Sequence, residues 1–227
     1  MDHGQSITFR RPDGQDAPGV LFSAGDGAPA VILIQEWWGV NPQIRGVAQR
    51  LVAAGYRVLI PDLYRGRVAA VEDEAKHLMQ GLDFGDVLAQ DLPGAIAYLK
   101  GQAPRVGVMG FCMGGAVTLA ALCNLDGLAG GVCFYGIPPT SLADPSELRA
   151  PLQGHFAELD DWCTPQAVRT LEDALRRGRT EYELYRYPAK HAFFNEARPE
   201  VYDPASATDA WRRTLDFLGR HLGGAAS

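Results

Sequence analysis

Several kinds of segment are missing from this chain of 227 residues, and each absence excludes a class of protein. No apolar run approaches the roughly 20 residues that a membrane-spanning helix needs. The first residues, Met-Asp-His-Gly-Gln-Ser, are polar, so a secretory signal peptide is not expected there. No unit repeats along the chain, which excludes repeat arrays. We therefore expect one globular domain over residues 1–227, with 223–227 as a frayed tail.

The chain has four cysteines, and its basic residues are fewer than its acidic ones. The cysteines at 112, 123, 133 and 163 are not spaced as pairs, and no Cys-x-x-Cys motif is present. This predicts free thiols in a reducing compartment, hence a cytoplasmic protein without a disulfide framework or a metal site. The net charge is −6, so neither nucleic acid nor an anionic membrane is expected as a partner. We expect a small-molecule partner, and a monomer or weak homodimer.

Short apolar runs alternate with amphipathic segments along most of the chain. The run at 30–35 is almost wholly apolar, which is typical of a strand buried on both faces of a sheet. We therefore predict an α/β fold, a mostly parallel twisted sheet with helices on both faces and no large cap domain. The predicted strands are 5–11, 20–23, 30–35, 56–61, 105–110, 130–135, 152–156 and 180–187. The predicted helices begin at Pro42 and near 71, 86, 115, 164 and 205, with an irregular excursion over 66–85.

Cys112 lies at the tip of a predicted strand–turn–helix, in Gly110-Phe-Cys-Met-Gly114. Glycines two residues to either side permit strained backbone and a close approach of strand and helix. The following helix N-terminus favours a thiolate. The pattern is the G-x-S-x-G nucleophile elbow with cysteine in place of serine. A buried, unreactive cysteine at a tight turn is the alternative.

A nucleophilic thiol needs a base, and histidine titrates near neutral pH. His191 lies in the loop between the last predicted strand and the last helix, so it is the candidate base; the alternative is a solvated loop histidine. His155 lies inside a strand and is interpreted as structural. The other histidines, in the tail or on helical patterns, are His3, His77 and His221.

Two aspartates follow the strand at 152–156, namely Asp160 and Asp161. An acid there would orient the imidazole, and the chain order Cys112, Asp160, His191 is the nucleophile–acid–base order of the elbow fold. Asp160 is favoured, and Asp161 stays open.

Attack on a carbonyl also needs N–H donors for the developing oxyanion. The backbone N–H of Met113 and that of Trp37, after the strand at 30–35, are the candidates. The side chains of Trp37 and Trp38 are expected in the pocket wall or in the core.

With these residues in place, the chain resembles the dienelactone hydrolase family of α/β-hydrolases. The resemblance implies an enol-lactone hydrolase with a Cys–Asp–His triad and no cofactor, in which Glu36 contacts the resting thiol. The matching stretches are Gln35–Asn41, Pro61–Tyr64, Gly110–Gly115, Phe134–Gly136, His155–Asp160, His191–Phe193 and Thr214–Leu218.

The chain departs from the family at the arginines that hold the substrate carboxylate in members acting on 4-carboxymethylene lactones. One lies shortly after the catalytic histidine, where this chain has Asn195 and, a little further on, Arg198. Another falls in the stretch matching 72–80, which here contains no arginine. The resemblance therefore implies fold and hydrolytic chemistry more firmly than substrate, with Arg198 as the candidate substrate-binding residue.

The leading hypothesis is a hydrolase of lactones or activated carboxylic esters that forms a Cys112 acyl-enzyme. A general short-chain esterase or thioesterase of the same fold is the nearest alternative. A glyoxalase-like or amidotransferase-like enzyme also uses a cysteine elbow, but there a histidine commonly follows the cysteine, and here Met113 does. A non-catalytic redox sensor on the same scaffold is the third hypothesis.

Overall fold

The structure is a computed structural model that describes residues 4–223, so His3 and most of the predicted tail lie outside the described residues. Eight strands form one sheet in the order β1-β2-β4-β3-β5-β6-β7-β8. Their bounds are β1 Gln5–Arg10, β2 Asp16–Phe22, β3 Ala30–Ile34, β4 Arg57–Pro61, β5 Val106–Phe111, β6 Gly131–Phe134, β7 Leu152–Leu159 and β8 Tyr182–Lys190.

The central strands are buried along their whole length, as their apolar sequences predict. Every residue of β3, β4, β5 and β6 is buried. All pairings from β4 through β3 to β8 are parallel, whereas β1 and β2 add an antiparallel edge. The mostly parallel α/β fold is therefore confirmed, and the carboxyl ends of β3, β5, β7 and β8 meet at one edge of the sheet.

Helices cover both faces of this sheet. Helices α1 and α7 share one apolar core with the strands, and α2, α4, α5 and α6 share the other. Asn41 and Thr164 cap α1 and α6 as predicted, since their side chains accept hydrogen bonds from backbone N–H groups three residues on. The bounds are α1 Pro42–Ala53, α2 Glu72–Gln80, α3 Phe84–Asp86, α4 Leu92–Lys100, α5 Met113–Asn124, α6 Pro165–Arg177 and α7 Pro204–Leu222.

The helix predicted to begin near 86 is present, but it is not regular throughout. A π-helical turn, Val87–Asp91, separates α3 from α4, and Leu92 N–H donates to the Val87 carbonyl five residues earlier. Pro93 supplies the reason, because it has no N–H for a regular helical hydrogen bond and so sits in the first turn of α4.

The last two strands are longer than predicted, and this brings two site residues to the sheet edge. β7 runs on to Leu159, and β8 runs through Pro188 to Lys190. Pro188 is tolerated because β8 is an edge strand. Asp160 and His191 therefore follow directly on paired strand ends. No helix in residues 4–223 combines the length and apolar character needed to cross a lipid bilayer.

Candidate active site

Cys112 lies between the end of β5 and the start of α5 in a strained backbone conformation. Its φ is 52° and its ψ is −115°, values that are costly for a residue with a side chain. The surrounding framework holds it there, because Cys112 N–H donates to the Phe134 carbonyl at 3.0 Å and the Cys112 carbonyl accepts from Ala116 N–H at 3.0 Å. The elbow predicted from the sequence is therefore present, with its thiol half-buried.

The glycines beside Cys112 are required by space. A Cβ atom on Gly110 would lie 2.2 Å from the Gly114 carbonyl oxygen, and one on Gly114 would lie 2.5 Å from the carbonyl oxygens of Ile34 and Gln35. Atoms that are not bonded to each other do not approach this closely, so any side chain at either position would push α5 away from β3 and β5.

His191 and Cys112 come together although 79 positions separate them. Nε2 of His191 lies 3.2 Å from the Cys112 sulfur. His191 follows the last residue of β8, and Ala192 after it takes a φ of 62°, which turns the chain sharply at this point. The imidazole is largely buried, with 18% of its side chain exposed.

Asp160 contacts the other nitrogen of the same ring. Its Oδ2 lies 2.7 Å from Nδ1 of His191, while its Oδ1 accepts the backbone N–H groups of Trp162 at 2.7 Å and Cys163 at 2.9 Å. The carboxylate is thus fixed in orientation at the end of β7. Asp161 is exposed and lines the cavity, so the structure places Asp160, the favoured of the two, against the histidine.

Burial and hydrogen bonding shift the pKa of His191 in opposite directions. Burial lowers the pKa of its imidazole, but the hydrogen bonds that the ring makes to Asp160 and Cys112, together with their charges, outweigh burial and raise that pKa to about 10. The protonated ring is therefore favoured at neutral pH, and its Nε2 is aimed at the sulfur.

The Glu36 carboxylate is held by two neutral hydrogen-bond donors. Its carboxylate, at the end of β3, accepts Tyr135 O–H at 3.2 Å and Asn195 Nδ2–H at 2.8 Å, and the Asn195 side-chain oxygen accepts Ala197 N–H at 3.1 Å. Burial raises the pKa of Glu36 despite these hydrogen bonds. The family resemblance implies that Glu36 contacts the resting thiol; the hydrogen bonds that the structure gives its carboxylate come from Tyr135 and Asn195, and the sulfur lies 3.2 Å from His191 Nε2.

A cavity of about 550 Å³ opens over Cys112. Met113, at the first position of α5, and Trp37, which follows β3, both line it, as does Arg198. The first N–H groups of a helix lack intrahelical acceptors, so the Met113 end of α5 offers a donor to a negatively charged oxygen. The remaining walls are mainly apolar and include Met79, Ala116, Ile137, Leu159, Trp162 and Val201.

Of the two positions expected for Trp38, pocket wall or core, the structure shows the second, because Trp38 packs against the apolar core and is not among the residues of 4–223 that line this cavity. Its ring meets that of Trp37 edge-on at 5.4 Å, and the guanidinium of Arg198 lies 5.8 Å from its centre. Trp38 therefore supports two lining residues. Arg198 is itself paired, with Glu200 at 2.7 Å and Glu72 at 3.4 Å.

The other candidate residues have structural surroundings. Cys123 and Cys133 are buried, and burial raises the pKa of each thiol to about 12. Cys163 is also buried and donates to the Tyr135 carbonyl at 3.2 Å, although it reaches the cavity wall. His155 is completely buried between Tyr187 O–H and the Gln153 amide oxygen, both at 2.9 Å, which confirms the structural interpretation.

Three residues at the site were missed by sequence reasoning about roles. Tyr135 and Asn195 hold Glu36, and Trp162 forms part of the cavity wall beside His191. Tyr135 fell within a matching stretch, Phe134–Gly136, but nothing in that stretch indicates its φ of 37° or its hydrogen bond to a residue 99 positions away.

Comparisons with known proteins identify the relatives of this chain. Residues 18–222 match the dienelactone hydrolase family. A Salmonella typhi protein named "Putative carboxymethylenebutenolidase" is 32% identical over 96% of this chain and 87% of its own length. Protein usf of Aquifex pyrophilus is 29% identical over 96% of this chain and 99% of its own.

A solved structure has the same overall shape. The crystal structure of a "Putative Dienelactone Hydrolase" from Klebsiella pneumoniae aligns with a TM-score of 0.84 and 27% identity, covering 96% of this chain and 99% of that one. The sheet, its helices and the sequence match are those of an α/β-hydrolase, and the chain belongs to the dienelactone hydrolase family of hydrolases.

Proposed function

We propose that the chain hydrolyses lactones or activated carboxylic esters through an acyl-enzyme on Cys112. The observation that carries this proposal is the hydrogen-bonded series from the Cys112 sulfur to His191 Nε2, at 3.2 Å, and from His191 Nδ1 to Asp160, at 2.7 Å. This series opens onto a cavity large enough for a small ester.

In the first half of the reaction the Cys112 sulfur attacks the substrate carbonyl carbon, having lost its proton to His191. The carbonyl oxygen becomes an oxyanion and accepts the backbone N–H groups of Met113 and Trp37. The carbon–oxygen bond to the leaving group then breaks, and His191 Nε2 donates its proton to the leaving oxygen. The products are a thioester on Cys112 and an alcohol or enol.

In the second half water takes the place of the leaving group. Neutral His191 removes a proton from that water as its oxygen attacks the thioester carbonyl. The carbon–sulfur bond breaks, the carboxylic acid leaves, and the sulfur returns to its pairing with His191. Asp160 stabilises the imidazolium in both halves and keeps Nε2 directed at the reaction.

Glu36 modulates the thiol in this proposal. A carboxylate at the end of β3 faces the elbow, and an ionised carboxylate near the sulfur would disfavour the thiolate. In the present arrangement Tyr135 and Asn195 hold that carboxylate, and the sulfur faces its base. The Cys112 sulfur therefore already contacts His191 before any substrate binds.

The proposed substrates are uncharged esters and lactones. Relatives named as carboxymethylenebutenolidases suggest butenolide chemistry. However, the guanidinium of Arg198 already bonds the carboxylates of Glu200 and Glu72, with which an anionic substrate would have to compete. The mainly apolar cavity walls favour a neutral substrate.

Replacing the nucleophile tests this function. Cys112→Ala and His191→Ala should reduce hydrolysis of p-nitrophenyl acetate and of an enol-lactone to the uncatalysed rate, with the circular dichroism spectrum retained. Cys123→Ala, which removes a thiol from the core away from the cavity, is the matched control and should keep its activity. Continued hydrolysis by Cys112→Ala at the wild-type rate would overturn the proposal.

A short-chain esterase or thioesterase would use the same residues, so a substrate panel separates these possibilities. Redox sensing is the contrasting function. Oxidation of a thiol by peroxide has no need of an aspartate fixed by two backbone N–H groups behind the imidazole. The fixed position of Asp160 behind the imidazole therefore favours hydrolysis over redox sensing.

A further inference from the structure

Trp162 has an unusual position for a large aromatic side chain. It is 69% exposed, although burying an indole would be favourable, and it lines the cavity over Cys112. The neighbouring wall residue Leu159 is 65% exposed as well. Exposed apolar side chains grouped at the mouth of a site are typical of a surface that a ligand covers.

The indoles of Trp162 and Trp37 form a corner. Their ring centres are 6.1 Å apart, and their planes meet at 70°. A flat ring placed in this corner would lie along one indole and meet the other with its edge, and both are favourable arrangements for aromatic pairs. The corner therefore fits a planar, conjugated group better than a flexible aliphatic one.

The position of the corner relative to His191 indicates which part of the substrate the corner contacts. The centre of the Trp162 ring lies 6.3 Å from that of the His191 ring, with the planes tilted by 40°. In the proposed mechanism His191 donates a proton to the leaving oxygen, so the group attached to that oxygen must lie on the His191 side of the cavity. A planar group one bond beyond that oxygen comes within reach of Trp162.

We infer that Trp162, together with Trp37, binds the leaving group and selects aryl or enol esters, whose leaving groups are planar. This inference rests on the proposed function and specifies its substrate class. The enol part of an enol-lactone is planar in the same way, so the corner also suits a lactone of that kind.

Trp162 can be tested without disturbing the triad. The hydrogen bond that it gives to Asp160 comes from its backbone N–H, which any substitution except proline retains. Because most of the side chain is in solvent, its loss removes little packing from the core.

Three acetate or benzoate esters separate the leaving-group side from the acyl side. 2-Naphthyl acetate carries an aromatic leaving group, trifluoroethyl benzoate carries an aromatic acyl group, and trifluoroethyl acetate carries neither. In Trp162→Ala, kcat/KM for naphthyl acetate should fall about tenfold relative to wild type. The values for both trifluoroethyl esters should change less than about twofold. For each ester, kcat/KM of the variant is compared with that of wild type, so differences in intrinsic reactivity between the esters cancel.

Two variants complete the design. Trp162→Phe keeps a ring and should recover most of the naphthyl acetate activity. Val71→Ala removes an exposed apolar side chain outside the cavity and should leave all three values unchanged.

Equal losses on all three esters, or no loss on any, would overturn the assignment of Trp162. A loss confined to trifluoroethyl benzoate would place the corner on the acyl side and also overturn it. If wild type hydrolyses none of the esters above the Cys112→Ala background, the proposed function fails together with this inference. If wild type hydrolyses the esters and the ratios of kcat/KM between them are the same in Trp162→Ala, the Trp162 inference fails and the proposed function stands.

Discussion

Asp160 shows how one side chain at the site is fixed by several contacts. One oxygen accepts two backbone N–H groups from the turn after β7, which leaves the other oxygen for Nδ1 of His191. The imidazole therefore has a defined orientation, with Nε2 towards Cys112. The same carboxylate is one of the groups that raise the pKa of His191 to about 10.

Asp160→Asn should lower kcat for p-nitrophenyl acetate by at least about a hundredfold, because the imidazolium loses its charged partner and its orientation. The pKa of His191 should also fall. In wild type the imidazolium persists up to about pH 10, so the alkaline limb of the pH–rate profile should lie near that value. In Asp160→Asn the limb should move to lower pH. An unchanged profile would mean that Asp160 does not act on His191.

The sequence predicts some of these residues and not others for a physical reason. Cys112 sits in a motif of local geometry, and Asp160 and His191 follow strand ends whose order along the chain is set by the fold. Tyr135 and Asn195 contact Glu36 from 99 and 159 positions away, through side-chain directions that no local pattern encodes. For the same reason the sequence left open whether Trp38 lies in the cavity wall or in the core.

At the scale of elements, the site depends on the close packing of α5 against β3 and β5. Gly114 is the contact point, since a Cβ there would meet two carbonyl oxygens of the β3 end at 2.5 Å. The N-terminus of α5 is therefore held close to the end of β3, which Glu36 and Trp37 follow. This packing sets the distance between the two proposed oxyanion donors.

Gly114→Ala should destabilise the protein by about 1–3 kcal/mol and reduce hydrolysis strongly, because α5 must move away from β3. Gly219→Ala in α7 is the matched control, since its Cβ would meet no atom within 4 Å. It should stabilise the protein by about 0.4–1 kcal/mol with unchanged activity. Urea unfolding measures both effects. Equal stabilities for the two variants would contradict the packing argument.

Most elements could be predicted because buried parallel strands are almost wholly apolar and their helices carry clear caps. The π-helical turn at Val87–Asp91 and the extension of β8 through Pro188 could not be predicted. Both depend on which backbone groups find partners in the folded chain, and proline by itself indicates only where a regular hydrogen bond is missing.

At the scale of the whole molecule, His155 joins the last strands to the last helix. It lies on β7, bonds Tyr187 on β8, and has the Thr214 hydroxyl of α7 at 3.3 Å. Complete burial, with the nearby Arg213 charge, lowers the pKa of His155 to about 3. The folded protein thus holds a neutral imidazole inside its core.

His155 should make the free energy of unfolding depend on pH in the acidic range. Its pKa is about 3 when folded and near 6.5 in an unfolded chain, so the unfolded state binds the extra proton between these values. The free energy of unfolding therefore falls as pH drops from about 6.5 towards 3. His155→Gln should show a shallower fall over this range in urea unfolding. Parallel curves for wild type and variant would contradict a buried neutral His155.

The central claim is that the acyl group passes through the Cys112 sulfur. Wild-type protein mixed with p-nitrophenyl acetate and quenched rapidly in acid should carry one acetyl group, which peptide mass spectrometry should locate on Cys112 as a thioester. An acetyl group found only on another residue, or turnover with no acetylated Cys112 at any time point, would contradict the account.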